Sequence, residues 1–341
     1  MQFCFNPKKI GGVRFVENKS SELTEKKKIS PVISFIIFIA AIALAAVIAN
    51  ILTGGTFLDG NNVKAIIGNC IYPCFVSWAL CFMFACGYTD LSLGGVVVLG
   101  SFAACACGNA WGYPGLIIGA LVVGTIFVFF NFFIFAFTKI PSWIASISLA
   151  MIYEAIAVFL RANQGTRSIF AAELNRSLRA MALFPWNIII LVVAFVVVYI
   201  FYNRTELGLS TAAIGGNATV SKVLGINVTR TLLLVGLLCG VLVGIGSAIQ
   251  ESYNVLTTAM SGLVSLQMIY KPLAIALLAQ VLSKRINIIL AVPFCALIIY
   301  GIFNLMTFFG VPSGTLQDLV LGVFLILFGA IGQRGIKEVV K

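Results

Sequence analysis

Few residues in this chain can do chemistry, and what is missing narrows the choice. Its 341 residues contain no histidine, 11 acids and nine cysteines. Without histidine there is no side chain that ordinarily titrates near neutral pH, and a zinc site loses its usual nitrogen ligand. The cysteines fall mostly inside apolar stretches (Cys70, Cys74, Cys81, Cys86, Cys105, Cys107, Cys239, Cys295), where a thiol behaves as a small packing group. No G-x-x-x-x-G-K-S/T phosphate loop occurs, so the chain does not bind ATP in that way. Three charged residues stand out inside apolar sequence: Asp90, within GYTDLSLGG (87–95), Glu154 and Lys271. The chemistry open to them is charge pairing, ion or proton coupling, helix capping, or contact with a polar solute.

Composition fixes the surroundings these residues must tolerate. The chain is 61% hydrophobic and 10% charged, against about 45–50% and 25% for a soluble domain. Such a chain cannot cover its surface with polar groups, so its solvent is largely lipid. The net charge of +11 is concentrated outside the apolar stretches, and seven of the 22 basic residues precede the first of them. That placement marks topology, not nucleic-acid binding.

A crossing takes about 20 apolar residues. On that measure ten segments are predicted, at 29–52, 65–87, 91–110, 114–138, 142–161, 186–202, 231–250, 262–282, 286–308 and 315–333. The first is too long for a signal-peptide core and reads as an uncleaved helix. With both termini cytoplasmic, sixteen lysines and arginines fall inside and five outside, as the positive-inside rule requires. The expected fold is therefore all-α: a polytopic transmembrane bundle of about ten helices (eight also keep both ends inside). It comprises a basic cytoplasmic segment at 1–28, one transmembrane domain at 29–335 and a cytoplasmic tail at 336–341. Two long connections remain, at 162–185 outside and 203–230 inside.

The charged residues are then assigned elements. Gly87 suits the end of one helix, and Thr89 or Asp90 the N-cap of the next, with Ser92 beside it. Gly94 and Gly95 would let that helix approach a neighbour closely. Glu154 lies ~18 Å into the fifth segment and Lys271 ~14 Å into the eighth, at 1.5 Å per residue. Insertion scales charge about 2.5–3.5 kcal/mol for such a residue at mid-bilayer, so pairing between them, or a common watery cavity, is expected. Tyr72, Trp78 and Asn131 are candidates for lining a route, the aromatic rings offering faces to a sugar or base, or else serving as packing.

The outer connection carries three arginines against the rule, and its Ile169, Leu174, Leu178 and Met181 suit a short interfacial helix. In the inner connection, Gly215 and Gly216 can end a turn and Asn217 can cap a helix over 218–224. Gly225 then suits the position just past that helix, before Ile226 and Asn227. Val220, Val223 and Leu224 would give it an apolar side outside the membrane, which wants a protein groove.

The stretch AAIGGNATVSKVLGIN (212–227) resembles the cytoplasmic signature of ribose-type permease subunits of bacterial ABC importers, in which Ile-Gly-Gly-Asn precedes a short helix and a Gly-Ile-Asn turn. Asp90-Leu91-Ser92-Leu93-Gly94 is similar to that family's Asp-Leu-Ser-x-Gly. Both motifs, their order and the ten-segment plan agree over about residues 30–335. The resemblance implies a permease paired with a second copy or a paralogous permease. The pair would sit on ATP-binding cassette ATPase subunits and receive solute from an extracytoplasmic binding protein. It implies no enzyme activity and no cofactor held by this chain, with ATP used by the partner. Membrane lipid is the other expected partner, and nucleic acid is not one. On this reading Gly215, Gly216, Asn217, Val220, Lys222, Val223, Leu224, Gly225, Ile226 and Asn227 belong to the ATPase-coupling loop. The chain departs from the family in segment eight, where Lys271-Pro272 stands and only Gly262 remains of a glycine-rich stretch.

The expected function is inward movement of a small polar solute, most simply a sugar, with a nucleoside as the alternative substrate. The rival is an ion- or proton-coupled secondary transporter built on Glu154, Lys271 and Asp90. An intramembrane enzyme is the weakest reading, given the missing histidine.

Overall fold

The computed structural model describes residues 31–333 apart from 139, 163–173, 255–256, 259–260, 284 and 312–313. The basic segment 1–28 and the tail 336–341 therefore lie outside the described residues. Among those described the chain is helical throughout, with α1 (Pro31–Leu52), α2 (Gly60–Ala85), α3 (Leu93–Phe137), α4 (Ser142–Ala162), α5 (Trp186–Arg204), α6 (Glu206–Gly216), α7 (Ala218–Val223), α8 (Val228–Asn254), α9 (Leu266–Leu282), α10 (Ile288–Phe308) and α11 (Thr315–Gln333).

The Gly112-Tyr113-Pro114 break does what the sequence requires. Gly112 takes φ 70° and ψ −148° inside α3, a conformation open to glycine at little steric cost. The two halves of α3 fold back on each other, so a Cβ at Gly108 would sit 3.1 Å from Leu116 and one at Gly119 would sit 2.6 Å from the carbonyl of Ala103. Among the described residues seven helices, the folded-back α3 counted as one, are long and apolar enough to cross a bilayer, and α9 and α11 are shorter apolar helices.

The centre of the bundle is α2, α3 and α8, with α9 and α10 against α2. Here α8 carries Gly236, Gly240 and Gly244, one helical turn apart on one face. A Cβ at Gly240 would lie 2.6 Å from Thr125 Cα, and one at Gly244 would lie 2.7 Å from Leu121 Cα. In lipid there is little hydrophobic drive between helices, so small residues that admit close backbone contact hold them together. This seam was not singled out in the sequence, although its four-residue spacing is visible there. Helices α1 and α5 are peripheral and largely exposed, as lipid-facing helices of a multi-pass membrane protein are.

The inner connection differs from its expected form. Residues 203–230 are not one loop with one helix. Gly215 and Gly216 are the last residues of α6, and Gly215 presses against the Ala85 carbonyl at the end of α2. In the outer connection Ile169 lies outside the described residues. Arg176–Ala182 forms a 3-10 helix capped by Asn175. Its Leu178 and Met181, with Leu174, are buried, and Ser252 Oγ on α8 donates to the Leu178 carbonyl at 2.7 Å. Those side chains serve the core instead of the bilayer interface.

Candidate functional site

The first cluster forms where α2 ends. Gly87 has φ 79°, and its amide donates to Phe84 O at 3.0 Å while that of Tyr88 donates to Met83 O at 3.0 Å. This is the paired closure that satisfies the last carbonyls of a helix, as the Gly87 reading expects. At the start of the next helix the boundary residue Ser92 makes no side-chain cap bond; the acceptor is Asp90, one of the two expected caps. Thr89 instead donates its amide to Ser142 Oγ at 3.2 Å, tying the junction to α4. Asp90 Oδ1 accepts from the Ser92 amide at 2.8 Å and from Ser92 Oγ at 2.7 Å. Its Oδ2 accepts from Asn131 Nδ2 at 2.8 Å. Asn131 also reaches Ser92 Oγ at 2.7 Å and accepts from the Tyr153 hydroxyl at 2.5 Å.

Asp90, Ser92 and Asn131 are fully buried. They form a closed network joining the start of α3, its returning half and α4. Asn131 is therefore a structural partner of Asp90, not an exposed lining residue. A buried carboxylate holds such a position only when its oxygens are satisfied, as these are.

Glu154 and Lys271 do not pair. Glu154, on α4, accepts from the Leu263 amide at 2.7 Å and the Ser265 amide at 2.6 Å. These amides lead into α9, whose N-cap Ser265 makes no side-chain cap bond. The first amides of a helix need acceptors and favour negative charge. Irregular backbone inside a membrane protein is tolerated only where it is buried or lines a cavity. Glu154 supplies that acceptor from another helix, which the sequence could not indicate. Lys271 Nζ lies 5.3 Å from the centroid of Tyr300 and 5.0 Å from that of Phe303, where ring faces attract a cation.

The glycine pair explains how α9 begins. A Cβ at Gly94 would collide with the Ser265 carbonyl, and one at Gly95 would lie 3.0 Å from Tyr153 Cβ. Segment eight therefore keeps a close approach although only Gly262 remains of its own glycines, because Gly94 provides it from α3.

Trp78 is fully buried, with Nε1 donating to the Ile289 carbonyl at 3.1 Å. It packs α2 on α10, the packing role that the sequence offered beside a route-lining one. Tyr72 donates its hydroxyl to the Met268 carbonyl at 3.0 Å and borders a polar cavity of about 220 Å³ with Asn69, Gln250, Tyr253, Gln267 and Lys271. An adjoining cavity of about 180 Å³ shares Asn69, Lys271 and Tyr300 and extends to Asn304 and Gln317. Sequence inspection marks Asn69, Gln250, Gln267 and Asn304 only as polar residues in apolar segments. That they converge is a tertiary fact. Among the described residues no group of three or more acids and cysteines is arranged to hold a metal.

The second cluster is the α6–α7 segment. Asn217 Oδ1 accepts from the Val220 amide at 3.0 Å, capping α7 as expected. Gly225 has φ 88°, with its amide on Lys222 O at 3.1 Å and the Ile226 amide on Ser221 O at 3.0 Å. Asn227 then caps α8, accepting from the Arg230 amide at 3.0 Å. Between these stops, Val220, Val223 and Leu224 are 52%, 83% and 73% exposed, and Lys222 lies in the last turn.

Comparison with known proteins agrees with this architecture. The inner membrane ABC transporter permease protein YjfF of Escherichia coli is 27% identical, over 86% of this chain and 85% of that protein. The xylose transport system permease protein XylH of Haemophilus influenzae is 23% identical, over 62% of this chain and 74% of its own length. The fructose import permease protein FrcC of Rhizobium meliloti is 24% identical, over 58% of this chain and 59% of that protein. Residues 62–329 match the family described as the branched-chain amino acid transport system / permease component. That match spans both motifs, the helix-break network and the exposed α7, and the chain belongs to this family of membrane permease components.

Proposed function

We propose that this chain is the transmembrane subunit of an ABC importer that moves a small polar solute, a sugar in the simplest case, into the cytoplasm. The observation that carries the reading is α7: a capped six-residue helix whose apolar side chains are largely exposed among the described residues. Exposed valine and leucine on a helix that short suit a groove on another protein. In this reading the groove belongs to an ATP-binding cassette subunit, and α7 with Gly215, Gly216 and residues 224–227 transmits its closure. Both termini and α7 are then cytoplasmic. A second permease copy or a paralogue completes the pathway, and an extracytoplasmic binding protein delivers solute. The permease alternates access as the two α7 helices are drawn together, and the partner supplies the ATP chemistry. The names of XylH and FrcC support a sugar as the cargo class.

Ion coupling fits the geometry less well. Coupling acids must exchange ions or protons with the route. Asp90 is enclosed by Ser92 and Asn131, and Glu154 is engaged by two backbone amides. The test is purification and reconstitution. Uptake is expected only with a co-purifying ATPase subunit and ATP. Uptake by the chain alone, driven by an ion gradient with no ATPase retained, would overturn the reading.

A further inference from the structure

Lys271 is the one basic side chain lining the two joined polar cavities, and no acid lines them among the described residues. Its ammonium is held between the ring faces of Tyr300 and Phe303. Glu154, the acid that sequence reasoning offered as its partner, is engaged elsewhere. The surrounding polar groups, Asn69, Gln250, Gln267 and Gln317, are neutral amides able to donate and accept. A cation in a cavity lined otherwise by neutral, hydrogen-bonding groups within the membrane suits a polar solute that brings its own negative charge.

We propose that Lys271 is a specificity contact in the translocation route, and that the solute is a polyhydroxy monoanion: a carboxylate such as a sugar acid, not a neutral sugar. This rests on the importer reading above and narrows its small polar solute to an anionic one. One ammonium balances one negative charge, which a carboxylate carries. A phosphate monoester brings about −1.5 to −2 near pH 7 and would leave excess charge in the cavity.

The test uses Gln267→Cys in the full-length chain, in cell membranes, since Gln267 borders the cavity and is exposed. Its thiol is labelled with methanethiosulfonate reagents carrying a sulfonate, a trimethylammonium or no charge. The anionic-to-cationic rate ratio is expected to fall about tenfold on adding Lys271→Met, and to hold with Lys271→Arg, the order expected for one unit charge in a partly hydrated cavity. D-galacturonate is expected to protect the thiol at lower concentration than D-galactose, with that preference lost in Lys271→Met and kept in Lys271→Arg. Unchanged labelling by the neutral reagent shows that the variants are folded.

A ratio indifferent to Lys271, equal protection by the two sugars, or protection by neither overturns the proposal. Retention of an ATPase subunit is scored in the same membranes. Its absence counts against the importer reading and leaves the labelling result intact. Its presence with no charge preference overturns the solute class alone.

Discussion

Each oxygen of Glu154 accepts one backbone amide of the turn before α9, so this acid acts as a helix-terminus anion supplied from a neighbouring helix. An unmet buried amide costs about 1–3 kcal/mol. Glu154→Gln must turn its NH2 toward one of the two amides. It is expected to lower stability by about that amount, read as a shift in thermal unfolding of the detergent-solubilised protein. The charge swap Glu154→Lys with Lys271→Glu is expected to rescue neither single variant, because no ion pair exists to restore. A double mutant that unfolds well above both singles would contradict the geometry. The two residues were individually legible, since a charge in an apolar run is conspicuous. Their partners were not, because backbone amides and aromatic ring faces carry no mark in the sequence.

At the scale of elements, α6 and α7 are set by their stops. Asn217 and Asn227 cap, Gly225 reverses the chain, and Gly215 seats α6 on α2. Gly215→Ala would drive a Cβ into the Ala85 carbonyl, whereas nothing lies within 4 Å of a Cβ at Gly216. Gly215→Ala is expected to destabilise by about 1–3 kcal/mol, and Gly216→Ala to be near neutral, in parallel unfolding curves. The pair α7 and its caps could be read locally, since capping is written within four residues. The helix α6 was missed because its sequence, ELGLSTAAIGG, is moderately polar and ends in two glycines, and its helicity is secured by packing on α2 and α8.

The exposed Val223 and Leu224 sharpen the functional reading. Changing both to serine removes apolar surface that is largely exposed among the described residues. Folding of the permease is therefore expected to be unaffected, while co-purification of the ATPase subunit and ATP-driven uptake fall at least tenfold. Unfolding at lower temperature with intact uptake would place these residues in the core of the permease instead.

For the whole molecule, the Lys/Arg imbalance and the direction of each helix place the α2–α3 junction and α7 at one end of the bundle and Tyr113 with the 3-10 helix at the other. The Gly215–Ala85 contact and the Tyr113 hydroxyl donating to Ser177 O at 2.6 Å tie each end together. Single cysteines at Val223 and Trp111, both exposed, are expected to react with an impermeant thiol reagent from opposite faces of sealed cells and vesicles. Reaction from one common face would overturn the topology.

The sequence alone determined the membrane class, the approximate positions of the long helices, the glycine breaks at 87, 112 and 225, and the two motifs. Hydropathy and local backbone preferences are written in neighbouring residues. Tertiary structure decided which polar groups meet: Asp90 with Asn131 across 41 residues of chain, Glu154 with the start of α9, and Lys271 with two rings and a neutral cavity. In lipid a polar side chain must find a partner, but its type and spacing state only the need. Helix packing, set here by the close contacts at Gly94 and along Gly236, Gly240 and Gly244, decides where that need is met.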